Sequence, residues 1–137
     1  MTMAWTSPAG KKGILKDTAV AGNVDVTKTV PAGKIWLILN VLVILTTDAT
    51  VATRIIRVYT RDADDDHKFE NFGSGITAST TDSRVFSYGL STSNAGVNGL
   101  GMPLLAATED VQIHISSGQA GDAYDYVIEY LEIGVSG

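Results

Sequence analysis

An all-β fold, an antiparallel two-sheet sandwich that is jelly-roll-like and has about eight strands, follows from three observations. The chain holds one long apolar run, Ile35 to Leu45, interrupted only by Asn40. Shorter stretches on either side alternate apolar and polar residues, as half-buried strands do. Turn-forming residues recur at short spacing between these stretches, and no segment shows a helical period.

The run from Ile35 to Leu45 organises the rest. Pro31 and Gly33 punctuate a turn before it, and Thr46, Thr47 and Asp48 follow it. Its β-branched content and these flanks favour a strand over a buried helix. It is too short for a bilayer-spanning helix, which needs roughly 20 residues. Alternate side chains of a strand point to opposite faces. That places Ile35, Leu37, Leu39, Val41, Val43 and Leu45 on one face, and Trp36, Ile38, Leu42 and Ile44 on the other. Neither face suits water. A second sheet covers one of them, and symmetric association is the simplest cover for the other. Trp36, Ile38, Leu42 and Ile44 are therefore the expected subunit contacts.

The remaining elements divide the chain into an arm, residues 1–13, a sandwich domain, residues 14–133, and a tail, residues 134–137. The arm has no periodicity, and Trp5 is its one large ring; termini of this composition are loose unless tied down. Trp5 either folds back on its own domain or anchors on a neighbour. Lys11 and Lys12 form the only adjacent basic pair of an acidic chain. Ile14 to Asp17 reads as a short strand. Asn23 to Val30 alternates, with Val24, Val26 and Val30 on one face. Val51 to Thr60 is the next strand, placed to pair with the central one as a hairpin through Asp48, Ala49 and Thr50. Lys68 to Phe72 and Arg84 to Leu90 follow, separated by a Gly/Ser/Thr loop, and a second loop runs from Ser91 to Gly101. Val111 to Ser116 points Val111, Ile113 and Ile115 inward and His114 outward. Tyr124 to Ile133 closes the set, with Tyr124, Tyr126, Ile128 and Tyr130 on one face and Val127, Leu131 and Ile133 on the other.

Composition narrows the function. At 137 residues with 45% hydrophobic content the chain builds one domain with a real core. Ten Lys and Arg against fifteen Asp and Glu give a net charge of −5, which repels a phosphate backbone and an anionic membrane alike. Neither nucleic acid nor membrane is an expected partner. There is no cysteine, so no disulfide supports the fold. No secretory signal is visible, so synthesis in the cytoplasm is the expectation.

No motif declares a reaction. Asp62, Asp64 and Asp66 match the first ligand positions of a calcium loop, but His67 and Gly73 stand where its glycine and distal glutamate belong. A solvated acidic turn is the simpler reading, with no metal and no cofactor expected. The two histidines, His67 and His114, form no obvious constellation. Gly96, Gly99 and Gly101 are wrongly spaced for a dinucleotide loop. Glu109, Asp110, Glu129 and Glu132 are the carboxylates available for glycoside hydrolysis, and nothing local pairs them. No enzyme activity is expected. Tyr88, Tyr124, Tyr126 and Tyr130 would serve a sugar as a platform or the chain as core, and core is the commoner use.

The phrase Val30-Pro-Ala-Gly-Lys-Ile-Trp36 before an apolar strand resembles small structural proteins of tailed bacteriophages. So does the closing pattern from Met102-Pro-Leu-Leu through Val111-Gln-Ile-His-Ile115 to Tyr126-Val-Ile-Glu-Tyr130. The resemblance implies a jelly-roll sandwich used as a capsid decoration, or cement, protein. It implies a homotrimer on the outer surface of the head, bridging capsomers and touching the major capsid protein. On that reading Trp5, Lys11 and Lys12 are the expected capsid contacts. The alternative is a carbohydrate- or receptor-binding module of a tail fibre or baseplate, using residues 73–83 and 91–101 with the nearby tyrosines.

Overall fold

The computed structural model describes residues 10–88, 97–100 and 103–134. They form ten strands: β1 (Lys11–Ala21), β2 (Val26–Thr29), β3 (Lys34–Thr46), β4 (Ile55–Arg61), β5 (His67–Phe72), β6 (Thr81–Ser87), β7 (Val97–Gly99), β8 (Leu104–Leu105), β9 (Asp110–Ser116) and β10 (Ala123–Gly134). All eight expected strands are present. The two additions are short, three residues in β7 and two in β8.

Two sheets face each other. Sheet A runs β1-β10-β3-β6-β7, with β8 also pairing β3, and sheet B runs β2-β9-β4-β5. The antiparallel pairs are nested: β1 with β10, β2 with β9, β3 with β6 and β4 with β5. That nesting is a long hairpin wrapped round a barrel axis, which is the jelly-roll topology. β7 departs from it by running parallel to β6.

The space between the sheets is filled by aliphatic side chains and a few rings. Ile38, Val41, Val43 and Leu45 of β3 meet Ile56 and Val58 of β4, Phe86 of β6, Ile113 of β9 and Ile128 of β10, all fully buried. Tyr124 and Tyr126 lie in the same core, as the period of their strand predicts. The Tyr124 hydroxyl donates to the Val24 carbonyl at 2.6 Å, and burial pushes its pKa up. Tyr130 stacks on Trp36 with ring centroids 4.2 Å apart. The indole N–H of Trp36 donates to Glu132 at 2.8 Å.

The phase of β3 corrects the expected faces. Asn40 pairs with Glu129 and Ile38 with Tyr130, so Leu39 is an extra residue in β3. A β-bulge of this kind shifts the alternation by one. Trp36 and Ile38 therefore share the inner face with Val41, Val43 and Leu45. Leu42 and Ile44 share the outer face with Ile35 and Leu37.

The expected hairpin between β3 and β4 does not form, because the two strands belong to opposite sheets. The connection between them crosses the end of the sandwich and is held by Arg54, which is fully buried. Its guanidinium donates to Asp122 through Nε at 2.9 Å and through a terminal nitrogen at 3.0 Å. The same group reaches Asp48 at 2.7 Å and the carbonyls of Thr50 and Ala52 at 2.9 and 2.8 Å. Asp122 also accepts the backbone N–H groups of Asp48 and Gln119, each at 2.8 Å. Burial pushes the Asp122 carboxyl up, but Arg54 and these two N–H donors outweigh it and hold the pKa below the usual carboxylate range.

Candidate functional site

The outer face of sheet A is the unusual surface of the molecule. Cross-strand partners share a face, so the register places its rows directly. Leu42 lies between Val127 of β10 and Val85 of β6, and Ile44 between Asp125 and Ser83. At the other end Leu37 lies between Leu131 of β10 and Leu104 of β8, with Ile35 beside Ile133. Ile14 of β1 adds a further apolar side chain. Leu104 and Ile14 are each 55% exposed and Ile44 38%, while the others are half-buried.

One polar row divides this face into two apolar bands. Glu129 of β10 pairs with Asn40 of β3, and Asn40 with Ser87 of β6. The Ser87 hydroxyl and the Asn40 side-chain oxygen are 2.6 Å apart, and Lys12 reaches Glu129 at 3.2 Å. Thus Asn40, the one polar residue of the apolar run, sits at the centre of the outer face. Beside the upper band a groove of about 430 Å³ is lined by Ile44 and Val127 together with Lys16, Asp17 and Asp125. Partly exposed apolar side chains gathered on one face and rimmed by charge make this face the candidate interaction surface.

The outer face of sheet B is different in kind. Tyr59 lies under His67, with ring centroids 3.9 Å apart, and 6.1 Å from His114. His114 contacts Asp25 at 2.7 Å. Arg57 bonds to Glu70 and lies over the Phe72 ring. These side chains engage one another in a largely polar surface, from which the Phe72 ring stands out at 58% exposure.

The structure distributes the sequence-predicted residues as follows. Leu42 and Ile44 come together on the outer apolar face. Trp36 and Ile38 are inside the sandwich, 5% and 0% exposed, so they leave the set of subunit contacts; the bulge at Leu39 is the reason. Lys11 and Lys12 belong to β1 and are exposed on its free edge. Trp5 and most of the second long loop lie outside the described residues. Asp62, Asp64 and Asp66 do form a turn, between β4 and β5. There the Asp62 carboxylate accepts the N–H groups of Asp64 and Asp66 at 2.9 and 3.0 Å. No group of three or more His, Asp or Glu side chains is set to hold a metal among the described residues. Of the four carboxylates weighed for hydrolysis, Asp110 is held by Arg61 at 2.8 Å and Glu109 by Lys68 at 3.0 Å. Glu129 and Glu132 bond to Lys12 and Trp36. The tyrosine platform is dismantled by burial of Tyr124 and Tyr126 and by the stacking of Tyr130. The sequence reading missed Ile14, Val85 and Leu104. Their apolar character is visible, but only the strand order brings them to one face.

No family model matches the chain, and no curated protein does. Among solved structures it is similar to a chain of the T13 IBDV viral particle, at 13% identity and a TM-score of 0.47, over 90% of this chain and 32% of that one. A chain of the infectious bursal disease virus Gx strain matches at 16% identity and a TM-score of 0.46, over 94% and 34%. A chain of the Bacillus endospore appendages that form disulfide-linked pili matches at 12% identity and a TM-score of 0.35, over 99% and 100%. The chain spans about a third of the length of the two virus chains.

Proposed function

We propose that this chain is a structural protein of a virus particle: an outer decoration protein of a tailed-phage head, acting as a homotrimer that ties neighbouring capsomers together. The observation that carries the reading is the apolar outer face of sheet A. A jelly roll serves coat, lectin and cupin proteins alike, and fold alone does not choose among them. A cupin-type or lectin-type role needs a polar site in the barrel or at a loop end. Here the interior, among the described residues, is packed mainly with Ile, Val and Leu, and the outstanding surface is the pair of apolar bands on the outer face of sheet A. Such a face works by burial against a neighbour. Its gain is mechanical, because surface buried across a seam must be exposed again before the seam opens. A net charge of −5 suits the outside of a shell better than a nucleic-acid-facing interior. The major capsid protein and other copies of the chain are the partners on this reading.

Light scattering over a dilution series tests it. The native chain is expected at the mass of a trimer, and Leu42→Glu with Ile44→Glu at the mass of a monomer with unchanged far-UV circular dichroism. Each glutamate would have to be desolvated in the contact, and an unpaired buried charge costs several kcal/mol, of order 3–5. Native protein added to undecorated phage heads should raise their melting temperature, and the double variant should not. A native monomer at every concentration that also leaves heads unaffected would refute the reading.

A further inference from the structure

We propose that the free edge of β5 pairs with the free edge of β1 from a second copy of this chain, joining sheet B of one subunit to sheet A of the next. The inference rests on the self-association proposed above and specifies a contact for it. Four strands border the two sheets: β1, β7, β2 and β5. β2 and β7 have four and three residues, and short edges offer little to a pairing strand. β1 and β5 have eleven and six. Among the described residues each pairs with a strand on one side only, and a strand edge of this kind is open to a further strand.

The two edges differ in how they are guarded. β1 carries exposed Lys11, Lys12 and Lys16, and lysine on an edge is an ordinary defence against pairing with itself. The one lysine of β5, Lys68, is drawn to Glu109 at 3.0 Å. Two rings stand out instead, Phe69 at 45% and Phe72 at 58% exposure. They pair with Thr60 and Arg57 and so point to opposite faces. A strand added at this edge would meet a ring on each side, the kind of cross-strand contact that stabilises pairing.

Charge chooses the partner. Within β5, Lys68 and Glu70 are both ion-paired inside the subunit, to Glu109 and Arg57. The turn that leads into β5 carries Asp62, Asp64, Asp65 and Asp66, of which Asp65 pairs with Arg61, so this end of the edge is acidic. Two β5 edges repel each other, two β1 edges repel each other, and a β1 edge attracts a β5 edge. β1 also borders the apolar outer face of sheet A, so a copy seated on its edge reaches Ile14 and is continuous with that face. The contact is heterologous, and a heterologous contact closes into a ring when its rotation permits. A ring of three is the form that the homotrimer requires.

The absence of cysteine from the sequence permits a direct test by disulfide trapping. Lys12→Cys, Ile14→Cys and Lys16→Cys chains would each be mixed with a size-tagged Glu70→Cys or Phe72→Cys chain and mildly oxidised. Circular dichroism would confirm that each variant is folded, and light scattering would report the native mass. The expected result is a cross-linked hetero pair in at least one mixture and none in any variant alone. Its yield should fall severalfold as salt screens the opposed charges. A native oligomer with no cross-link in any mixture would overturn the edge pairing and leave self-association standing. Cross-links within a β1 variant alone would also overturn it, by showing a two-fold contact. A native monomer would overturn both.

Discussion

Arg54→Met is expected to be among the most damaging single substitutions in this chain, with a loss of about 3–5 kcal/mol, the ordinary cost of removing one partner from a buried ion pair. Every N–H of the guanidinium that the bonds above describe has an acceptor, and those acceptors come from two separate connections. Without Arg54 the Asp122 carboxylate stays buried with only the N–H groups of Asp48 and Gln119. Arg54→Lys should fare only partly better, because an ammonium keeps the charge but cannot span Asp122 and Asp48 with a planar fork. Urea unfolding followed by circular dichroism measures both. If Arg54→Met lost less than about 1 kcal/mol, the size of an ordinary solvent-exposed hydrogen bond, the ion pair would not be what closes this end of the sandwich.

The same pair sets an acid limit. The folded-state pKa of Asp122 is depressed, so its contribution to stability is complete above the unfolded value of about 3.9 and is lost as pH falls through the folded value. The native protein should therefore lose stability progressively below about pH 4. Asp122→Asn, already weakened at neutral pH, should show a shallower acid loss over that window. Parallel acid slopes for the two proteins would assign the acid limit to other carboxylates.

The second large effect separates the two faces of β3. Ile38→Ala is expected to cost about 2–5 kcal/mol, since it empties a fully buried site that the surrounding side chains refill only in part. Leu42→Ala, on the half-buried outer face, should cost a dilute monomer roughly 1 kcal/mol or less, as partial burial scales the transfer term down. Had β3 alternated without a bulge, Ile38 and Leu42 would share one face and the two losses would be alike. Equal losses in urea titrations at low concentration would therefore contradict the bulge at Leu39.

That bulge marks where the sequence stops being legible. All eight expected strands are written in apolar runs or local alternation and in the turn residues between them, and the facing of Tyr124, Tyr126, Ile128 and Tyr130 reads correctly because β10 keeps a strict period of two. Leu39 and Asn40 carry no bulge signature, being an ordinary leucine and asparagine in an apolar run. Only the pairing of Asn40 with Glu129 shows that a residue has been inserted, and that partner is far along the chain. The role of Arg54 was hidden for the same reason, since Asp122 is 68 residues away. An arginine beside two isoleucines looks from sequence like a rim residue. The outer apolar face was anticipated through Leu42 and Ile44, and its full extent was not, because Ile14, Val85 and Leu104 reach it only through strand order.

The place of β10 between β1 and β3 bears on how the chain is made. Of the ten strands among the described residues, the last to leave the ribosome is the one that joins the first to the most apolar. Until it emerges, β1 has no neighbour in its sheet among the described residues, and β3 is left with β6 and β8 on one side and, among those residues, no strand on the other. Contacts of such long sequence separation form slowly, and an incomplete sheet with unpaired edges is prone to cling to other chains. Polypeptides stopped short of Ala123 should accordingly aggregate instead of yielding a smaller folded core.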